Sequence, residues 1–508
     1  MTGKGLAGRR ASTERSFLPW GALFVLLALW CAACGSESEP TLRTPTPSGA
    51  MQLLRDPTGR ALVLHGLNVS GSAKDDPQRM PWVERTDLQR MRREWGLNAI
   101  RLLIFWDAIE PEPGQFQAEY LERVAERVAW CADAGLWVVL DMHQDVYGKR
   151  SADGKPLGFD GAPAWAARTD GLPHVYMDPW ALTYFQPGVR RAFDHFWSGS
   201  GVHADLQEHY RLAWKFVAQR FASHPAVLGY DLMNEPFAGS AAAGTFGNLR
   251  IGDSERGRLF EETTFTQATQ GWIDAIRSVD PEKWIFYEPL AFPANNGGPV
   301  YLKRLRDPRP GESRLVYAPH FYALAPEINN HFDPSATEEM DVWAQERKAD
   351  QERFGHPLLI GEVGLPWNGG GRPLEYLEKF FDLADSMSSG WMYWSYDPGS
   401  WGPVQGANRE ETPLVSVFVR VYPLAVNGDV LAYRFDRATR RFSLHYVARP
   451  RTGSNTEIAV PARLYPEGFR VNGCSGTCRA RWDETTQVLS ITGVRAGEEV
   501  AIEVVPWS

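Results

Sequence analysis

The chain has 508 residues, of which 44% are hydrophobic and 23% are charged, and its net charge is −9 at neutral pH. That length allows two or three domains with a large core, and the composition is typical of a folded globular protein. The acidic balance, together with the lack of a long basic run, argues against nucleic acid as a partner.

The N-terminal segment has the layout of an export signal. Basic residues precede the apolar run FLPWGALFVLLALWCAAC, and a polar stretch follows it. Cys31-Ala32-Ala33-Cys34 resembles the cleavage box of bacterial lipoproteins, which would place a lipid on Cys34. Simple secretion and an uncleaved membrane anchor are alternatives, since the run is near the lower limit for a membrane span. We expect residues 1–34 to direct export to the cell surface or the medium, and residues 35–50 to form a flexible tether.

From about residue 60 to 420, short apolar segments alternate with long amphipathic ones. The predicted strands are ALVLHGLNVS (61–70), NAIRLLIFW (98–106), LWVVLDMHQD (136–145), VLGYDLMNEP (227–236), WIFYEPL (284–290), RLVYAPHFY (314–322), PLLIGEVG (357–364) and GWMYWSYD (390–397). Eight strands interleaved with helices predict an α/β fold, a (β/α)8 TIM barrel enlarged by insertions. A doubly wound sheet is the weaker alternative, because no strand leads into a G-x-G-x-x-G turn.

Two segments depart from this alternation. Residues 146–203 form a long insertion, and its many aromatic residues favour an ordered, functional loop over a disordered one. After Pro423 the residues alternate at period two between turn signals, which predicts an antiparallel β-sandwich. We therefore expect a catalytic barrel over residues 51–423 and a sandwich domain over 424–508. The sandwich is interpreted as a structural cap, or alternatively as an aid to docking on membranes or glycans.

The sandwich region contains two cysteines four positions apart. Cys474 and Cys478 lie in NGCSGTCRA, and export permits disulfides. A C-x3-C pair offers fewer ligands than a structural metal site needs. The spacing therefore predicts a small structural disulfide across a tight turn.

Each predicted barrel strand becomes polar at its C-terminal end. The residues concerned are His143 and Asp145 on the third strand, Asn234 and Glu235 on the fourth, Glu288 on the fifth, His320 and Tyr322 on the sixth, Glu362 on the seventh and Trp394 on the eighth. Active sites of such barrels lie on the face that these ends build. Stability alone gives no reason for this asymmetry, so we expect a functional cavity there.

Two carboxylates at a barrel mouth suit the cleavage of a glycosidic bond. One can protonate the leaving oxygen while the other attacks the sugar or activates water, and Glu235 and Glu362 are the candidates. Glu288 also ends a strand, but no partner pattern selects it, so we interpret it as lining the cavity. His143 and His320 do not form a metal motif of the HExxH kind, so we expect neither a metal nor a cofactor.

The Asn-Glu-Pro triplet at the fourth strand, with a second Glu ending the seventh, resembles glycoside hydrolase family 5 and its clan. Arg101, His143, His320, Tyr322 and Trp394 lie on the strands where the clan would place them. The resemblance implies a retaining enzyme.

In that enzyme Glu235 is the acid/base and Glu362 the nucleophile, with carboxyl groups about 5–5.5 Å apart. Arg101 and the Tyr322 hydroxyl would keep Glu362 ionised. Asn234 would bond the sugar 2-hydroxyl, and Trp394 would offer a flat face to the sugar.

Longer runs resemble one group within this family, the endoglycoceramidases. These enzymes release the intact glycan from glycosphingolipids and leave ceramide. The runs are LHGLNVSGSAK (64–74), DMHQDVYG (141–148), GAPAWAARTDGLP (161–173), FQPGVRRAFDHFW (185–197) and YWSYDPGSWGP (393–403). The resemblance implies that Lys74, Asp145 and Trp165 contact the sugar on the non-reducing side, and that Asp141 and His143 support the site. KRSADGKPLGFD (149–160) has no clear counterpart, so the headgroup stays open.

Two other functions remain as alternatives. Another family 5 β-glycosidase, acting on glucans or on simple or steryl glucosides, would have a long open cleft. A non-catalytic carbohydrate-binding surface protein would lack one of the two carboxylates. An amphiphilic substrate needs an apolar groove beside the sugar pocket, and the aromatic insertion and LAFPANNGGP (290–299) are the segments expected to wall it. We expect a monomer that meets its substrate at a membrane through its lipid anchor.

Overall fold

The computed structural model describes residues 48–242, 254–449, 455–474 and 476–507. The predicted export signal with Cys34, and residues 35–47 of the predicted tether, lie outside these ranges. Among the described residues, no helix has both the length and the apolar character needed to cross a membrane.

Within these ranges, eight parallel strands form the central sheet of the larger domain. They are β1 (Leu64–Val69), β2 (Ala99–Ile104), β3 (Trp137–Met142), β4 (Val227–Asp231), β5 (Trp284–Tyr287), β6 (Leu315–Tyr317), β7 (Ile360–Val363) and β8 (Gly390–Tyr393). Their order in the sheet is β7-β8-β1-β2-β3-β4-β5-β6. Parallel bridges from Tyr317 to Leu358 and from Phe321 to Val363 join β6 to β7. The sheet therefore closes on itself, which confirms the predicted (β/α)8 barrel.

Amphipathic helices surround this sheet. In the described part of the chain they are α1 (Arg85–Arg93), α2 (Trp106–Ile109), α3 (Ala118–Ala134), α4 (Pro187–Phe196), α5 (Asp205–Phe221), α6 (Glu255–Phe260), α7 (Thr266–Arg277), α8 (Ala291–Ala294), α9 (Leu324–Asn329), α10 (Glu338–Phe354), α11 (Pro373–Met387) and α12 (Leu414–Phe418). Helix α3 shows the principle, since Leu121, Val124 and Val128 recur at helical spacing and are buried. Gly135, at φ +77°, ends that helix in the left-handed conformation that glycine adopts at low cost.

The long insertion after β3 is ordered and packs on the barrel. Short 3-10 turns at Ala164–Ala166 and Trp180–Phe185 precede α4. Tyr184 and Phe193 are buried against Phe237, which follows the fourth strand. Tyr176 and Trp180 contact Phe159 but stay 65% and 40% exposed. The insertion thus places an aromatic surface beside the C-terminal ends of the strands.

The C-terminal region consists of two antiparallel sheets. Its strands are β9 (Tyr422–Val426), β10 (Gly428–Asp436), β11 (Arg441–Ala448), β12 (Thr456–Ala459), β13 (Phe469–Asn472), β14 (Arg479–Asp483), β15 (Val488–Thr492) and β16 (Glu499–Pro506). One sheet has the order β10-β11-β16-β13, and the other contains β9, β12, β15 and β14. Cys474 and Cys478 form a disulfide before β14.

The second sheet also takes strands from the start of the described chain. Leu54–Arg55 pairs with Ala61–Leu62, which in turn pairs with β9. The sequence prediction treated residues 61–70 as a single barrel strand, and this is wrong in detail. The run is divided at Val63, so its first residues complete the sandwich and only Leu64–Val69 belongs to the barrel.

The sandwich packs against the barrel near the N-terminal ends of the strands. His65, at the start of β1, lies 3.0 Å from Asp385 and stacks on Tyr422 of β9. Asp385 also forms an ion pair with the buried Arg420. This contact is at the opposite end of the barrel from the polar strand ends, which supports the interpretation of the sandwich as a structural cap.

Candidate active site

The two carboxylates predicted from the sequence meet at the C-terminal end of the barrel. One oxygen of Glu235, one of Glu362 and a ring nitrogen of His320 all lie within 4.8 Å of one another. This close approach of the two carboxyl oxygens favours a retaining over an inverting arrangement, in which the two carboxyl groups stand far enough apart for a water molecule.

Glu362 is buried and held by three side chains. Arg101 donates to its Oε1 at 2.7 Å, and the Tyr322 hydroxyl donates to its Oε2 at 2.8 Å. His320 Nδ1 lies 3.7 Å from Oε2. Burial raises the pKa of Glu362, while the charges of His320 and Arg101 oppose that shift. The expected partners Arg101 and Tyr322 are present, and His320 is a further cation that favours the ionised form.

Tyr322 and His320 are held in their protonated forms by the same environment. Burial and the nearby Glu362 raise the pKa of the Tyr322 hydroxyl, so it donates rather than accepts. Burial alone would lower the pKa of His320, but Glu288 and Glu362 raise it well above its usual value. This shift favours the protonated ring, in which both nitrogens donate.

Arg101 contacts several side chains of the site besides Glu362. Its guanidinium forms ion pairs with Asp141, Asp231 and Glu288, each at 2.9 Å. It also donates to Asn68 Oδ1 at 3.0 Å. A buried cation is tolerated only when such partners satisfy it, and Arg101 is 1% exposed.

Glu235 is presented by an unusual backbone. Its φ is +43°, in the left-handed region that non-glycine residues seldom adopt. The Glu235 N–H donates to Glu288 Oε2 at 2.8 Å, which holds this conformation. Asn295 Nδ2 donates to Glu235 Oε1 at 2.7 Å, and His320 Nδ1 lies 3.1 Å from the same oxygen. Such strain is concentrated at functional sites.

Asn234 is buried beside Glu235 and is held on both sides. Its Oδ1 accepts from Arg101 at 3.1 Å, and its Nδ2 donates to the Gln144 carbonyl at 3.2 Å. One hydrogen of the Asn234 amide nitrogen remains for a ligand. That is the hydrogen the predicted contact with a sugar hydroxyl requires.

A second cluster lies next to the pair, around Trp394. The His143 ring stacks on Trp394, with centroids 5.4 Å apart, and its Nδ1 lies 2.7 Å from Asp141. Lys74 Nζ lies 4.4 Å from the Trp394 ring centroid and forms an ion pair with Asp145. The structure thus brings these predicted residues together.

The charges in the second cluster shift one another's titration. Burial and Lys74 would lower the pKa of His143, but Asp141 and Asp145 raise it to about 9. Burial, partly opposed by Lys74, raises the pKa of Asp160 to about 7, and Asp145 adds to that rise. Neither oxygen of Asp160 has a hydrogen-bond partner among the described residues.

Trp165 is partly buried in the insertion, and its predicted contact with a sugar stays a prediction. Its indole N–H donates to the Glu110 carbonyl at 3.3 Å, and its ring packs on Trp106 and His209. These contacts lie within the insertion and the outer helices. In the described part of the chain, no ring or hydrogen-bond contact joins Trp165 to Lys74 or Asp145.

Several residues of the site were not selected from the sequence. Glu288 was interpreted as a cavity-lining residue, yet it supports Arg101, His320 and the Glu235 backbone at once. Its position after the end of a strand indicated a place in the site, and Asp231, the last residue of β4, could have been selected in the same way. Asn295 lies in the segment 290–299, which was expected to wall an apolar groove, and no sequence pattern indicated its hydrogen bond to Glu235.

Three groups of carboxylates and histidines are compact enough to hold a metal ion. They are His143, Asp145 and Asp160; Glu235, His320 and Glu362; and Asp141, Asp231 and Glu288. Each group already contacts a protein cation. Lys74 pairs with Asp145 in the first group, and Arg101 pairs with Glu362 in the second and with all three carboxylates of the third. A metal would have to compete with these cations, so we assign none, and a site without metal stays a prediction.

Comparison with known proteins defines the class. Residues 56–400 match the family described as cellulase (glycosyl hydrolase family 5), and residues 420–504 match the glycoside hydrolase family 5 C-terminal domain. The chain therefore belongs to glycoside hydrolase family 5 and is a glycoside hydrolase.

Several similar proteins within the family are named endoglycoceramidases. Endoglycoceramidase I of Rhodococcus hoagii (strain 103S) is 29% identical over 88% of this chain and 84% of its own length. The structure of endo-glycoceramidase II from Rhodococcus sp. with ganglioside GM3 superposes with a TM-score of 0.81 at 36% identity, covering 90% of this chain and all of that one. Its lactosyl-enzyme intermediate superposes with a TM-score of 0.79 at 36% identity over the same shares.

Proposed function

We propose that this protein is an endoglycoceramidase that hydrolyses the β-glycosidic bond between the glycan and the ceramide of glycosphingolipids. The observation that carries the proposal is the pair Glu235 and Glu362, whose oxygens lie within 4.8 Å at the mouth of a family 5 barrel. That spacing supports retention of anomeric configuration. The endoglycoceramidases that match nine-tenths of the chain support the substrate class, whereas the endoglucanase of Xanthomonas campestris matches 39% of it.

In the first step Glu362 attacks the anomeric carbon of the sugar joined to ceramide. A bond forms between a Glu362 oxygen and that carbon, and the bond from the carbon to the ceramide oxygen breaks with its electron pair. Glu235 gives its proton to that oxygen, so ceramide leaves as an alcohol. Arg101, Tyr322 and His320 prepare Glu362 for attack by favouring its charged form in a buried place.

In the second step the ionised Glu235 acts as a base. It takes a proton from water, the water oxygen bonds to the anomeric carbon, and the bond to Glu362 breaks with its electrons returning to the carboxylate. The two displacements together retain the configuration of the released glycan. The same residue serves as acid and then base because the proton it loses in the first step is recovered in the second.

Polar and aromatic groups beside the pair fit the glycan. Trp394 offers a ring face to a sugar, and Asn234 has an amide hydrogen free for the 2-hydroxyl. Lys74 lies over Trp394 and pairs with Asp145, and the two supply a donor and an acceptor for hydroxyls of the next sugar. Trp165 is partly exposed, and we propose it as a further contact of this sugar.

The aromatic surface of the insertion fits the lipid part of the substrate. Tyr176 and Trp180 are exposed on this surface and pack on Phe159, whose chain neighbour is Asp160. Exposed aromatic surface of this kind is favourable for contact with acyl chains at a membrane interface. We propose that this surface receives the ceramide.

The cellular location of the enzyme is also a proposal. The N-terminal segment supports export, and the Cys31-Ala32-Ala33-Cys34 box supports attachment of a lipid to Cys34, with secretion as the alternative. A lipid anchor would hold a monomeric enzyme at a membrane. Replacing Cys34 with serine in cells should move the protein from the detergent phase to the aqueous phase in a phase-partitioning experiment. Unchanged partitioning would favour an anchor of another kind.

The substrate class is tested by product analysis. The purified protein is incubated with a panel of glycosphingolipids and, separately, with carboxymethylcellulose, and the products are separated by mass. We expect free ceramide together with an intact oligosaccharide, and no shortening of the glucan. Release of single sugars from the non-reducing end, or cleavage of the glucan alone, would instead identify another family 5 glycosidase.

A further inference from the structure

The loop after β5 carries a residue that contacts Glu235 directly. Residues 290–299 include the short helix α8 and continue into Asn295 and Asn296. Arg347 of α10, which is fully buried, donates to the carbonyls of Ala294 and Gly298, both at 2.6 Å. Charged hydrogen bonds to backbone carbonyls on both sides of Asn295 fix the position of the loop.

Asn295 links the surroundings of the two carboxylates. Its side-chain Nδ2 donates to Glu235 Oε1 at 2.7 Å, and its backbone carbonyl accepts from the Tyr322 N–H at 3.3 Å. Asn296 Nδ2 donates to the Tyr322 carbonyl at 2.7 Å. The Tyr322 hydroxyl in turn bonds Glu362. A shift of this loop would therefore disturb both carboxylates, but only Asn295 contacts Glu235.

The two oxygens of Glu235 have unequal environments. Oε1 faces two donors, Asn295 Nδ2 at 2.7 Å and His320 Nδ1 at 3.1 Å. Among the residues that the structure describes, none forms a hydrogen bond with Oε2. An oxygen that already accepts two hydrogen bonds is a poor place for a proton, so the acidic proton belongs on Oε2.

Other charged or titratable groups also face Glu235, but none of them donates to its carboxylate. They are Glu288, which accepts from the Glu235 backbone, and Glu362, Glu327, Tyr322 and Tyr184, which act through space. The direct hydrogen-bond partners of the Glu235 carboxyl group among the described residues are therefore Asn295 and His320.

We propose that Asn295 is a positioning residue for the acid/base, which fixes Oε1 as the hydrogen-bond acceptor and so leaves Oε2 to carry the proton to the leaving oxygen. The inference rests on the proposed function, because it assumes that Glu235 is the acid. The amide acts in both steps: it orients the protonated carboxyl in the first step and stabilises the carboxylate that results from it.

The test compares Asn295→Ala with Asn296→Ala on two β-lactosides, one with a dinitrophenol leaving group and one with an alkyl alcohol. The dinitrophenolate needs no proton to leave, whereas the alcohol does. We expect Asn295→Ala to lower kcat/KM about 10- to 100-fold on the alkyl lactoside and less than about threefold on the dinitrophenyl lactoside, within the range that proton transfer contributes. The alkaline limb of its pH profile should move to higher pH, since a donor to the ionised form is lost.

Asn296→Ala serves as the control for damage to the loop. It should affect both substrates to the same degree and leave the alkaline limb in place. Equal losses on both substrates for Asn295→Ala, or no loss on either, would overturn the inference. Thermal unfolding of each variant checks the fold. If Asn295→Ala does not fold, Asn295→Ser, which keeps a shorter hydroxyl donor, should show the same leaving-group dependence to a smaller degree.

The two proposals fail in different ways. If the unmodified enzyme hydrolyses neither lactoside nor any glycosphingolipid, the proposed function is wrong. If it hydrolyses both lactosides and Asn295→Ala does not distinguish them, the proposed function stands and the role of Asn295 is wrong.

Discussion

The two ends of the barrel both bury charged groups, but they bury them in opposite ways. At the N-terminal end, Asp385 lies between His65 and Arg420, and although burial alone would raise its pKa, these two partners lower it. At the C-terminal end, Glu362 lies beside Glu235, and burial raises its pKa. Asp385 contacts the cation Arg420, whereas Glu362 has a second carboxyl group, Glu235, close by in addition to the cations Arg101 and His320. Carboxyl groups held together weaken a fold when both are charged. The comparison indicates that the first end serves stability and the second serves chemistry.

The backbone differs between the two ends in the same sense. At the start of β1, His65 lies in a regular strand, and its backbone N–H donates to Asn98 Oδ1. After the fourth strand, Glu235 has a positive φ, and its N–H donates to Glu288. Strain of this kind persists only where the surroundings determine it fully. We therefore expect substitutions at the two ends to separate activity from stability.

The largest effect on activity is expected for Glu362→Gln. The amide keeps the shape of the side chain but cannot attack the anomeric carbon. Turnover of a dinitrophenyl lactoside should fall by about a thousandfold or more, while the melting temperature is unchanged or higher because a buried charge is removed. The matched control is Glu375→Gln at an exposed position of α11, which should keep full activity. Activity of Glu362→Gln near that of the control would remove Glu362 from the mechanism.

Glu235→Ala should have a large effect that depends on the substrate. Without the acid, kcat/KM on glycosphingolipids and alkyl lactosides should fall by about 100- to 10,000-fold, the range that general acid catalysis contributes. Its kcat/KM on a dinitrophenyl lactoside should fall far less, since that leaving group needs no proton. Steady-state kinetics on both substrates measure the difference. Equal losses would contradict an acid role.

Asp385→Asn should show the reverse pattern at the other end of the barrel. Removing the carboxylate takes one of two carboxylate partners from the buried Arg420, which keeps Asp382, and we expect a loss of about 1.5–3 kcal/mol in the free energy of unfolding with kcat unchanged. The contribution of Asp385 should also depend on pH. Its pKa is lower in the folded state, so its stabilisation is present above the unfolded pKa and is lost as the pH falls. Urea unfolding at several pH values, with kcat measured on the same samples, tests this. A loss of kcat without a loss of stability would contradict the division between the two ends.

The smallest effect is expected for Asp160→Asn. Burial and Asp145 raise the pKa of Asp160 to about 7 in the folded protein, against the opposing charge of Lys74. A raised folded pKa means that stability is lost as the pH rises towards 7. Asp160→Asn should therefore increase the melting temperature by a few degrees at pH 8 and by less at pH 4. Asp75→Asn, at a side chain that is 93% exposed, is the control and should have no such pH dependence. An equal gain at both pH values would contradict the assigned charge state.

Much of the fold and the reacting pair could be predicted from the sequence because they depend on repeating local patterns. Apolar runs that end in polar residues define parallel strands, and the carboxyl ends of such strands share one face. Glu235, Glu362 and Tyr322 follow from this rule, whereas Arg101 lies inside its strand and was placed by the resemblance to family 5.

Other features depend on contacts that no local pattern contains. Asn295 comes from a loop whose position Arg347 fixes from a different helix. The division of residues 61–70 between barrel and sandwich follows from pairing with β9, far along the chain. Long-range packing decided each of these cases.

The central claim is that Glu362 becomes covalently bonded to the sugar while Glu235 moves the proton. The most direct test is to incubate the enzyme with a 2-fluoro-lactoside that carries a good leaving group, which slows the second step, and then to analyse the peptides by mass spectrometry. The account predicts one fluorolactosyl group on the peptide that contains Glu362, with activity returning as the adduct hydrolyses. An adduct on Glu235, or turnover without any adduct and with an inverted product, would contradict it.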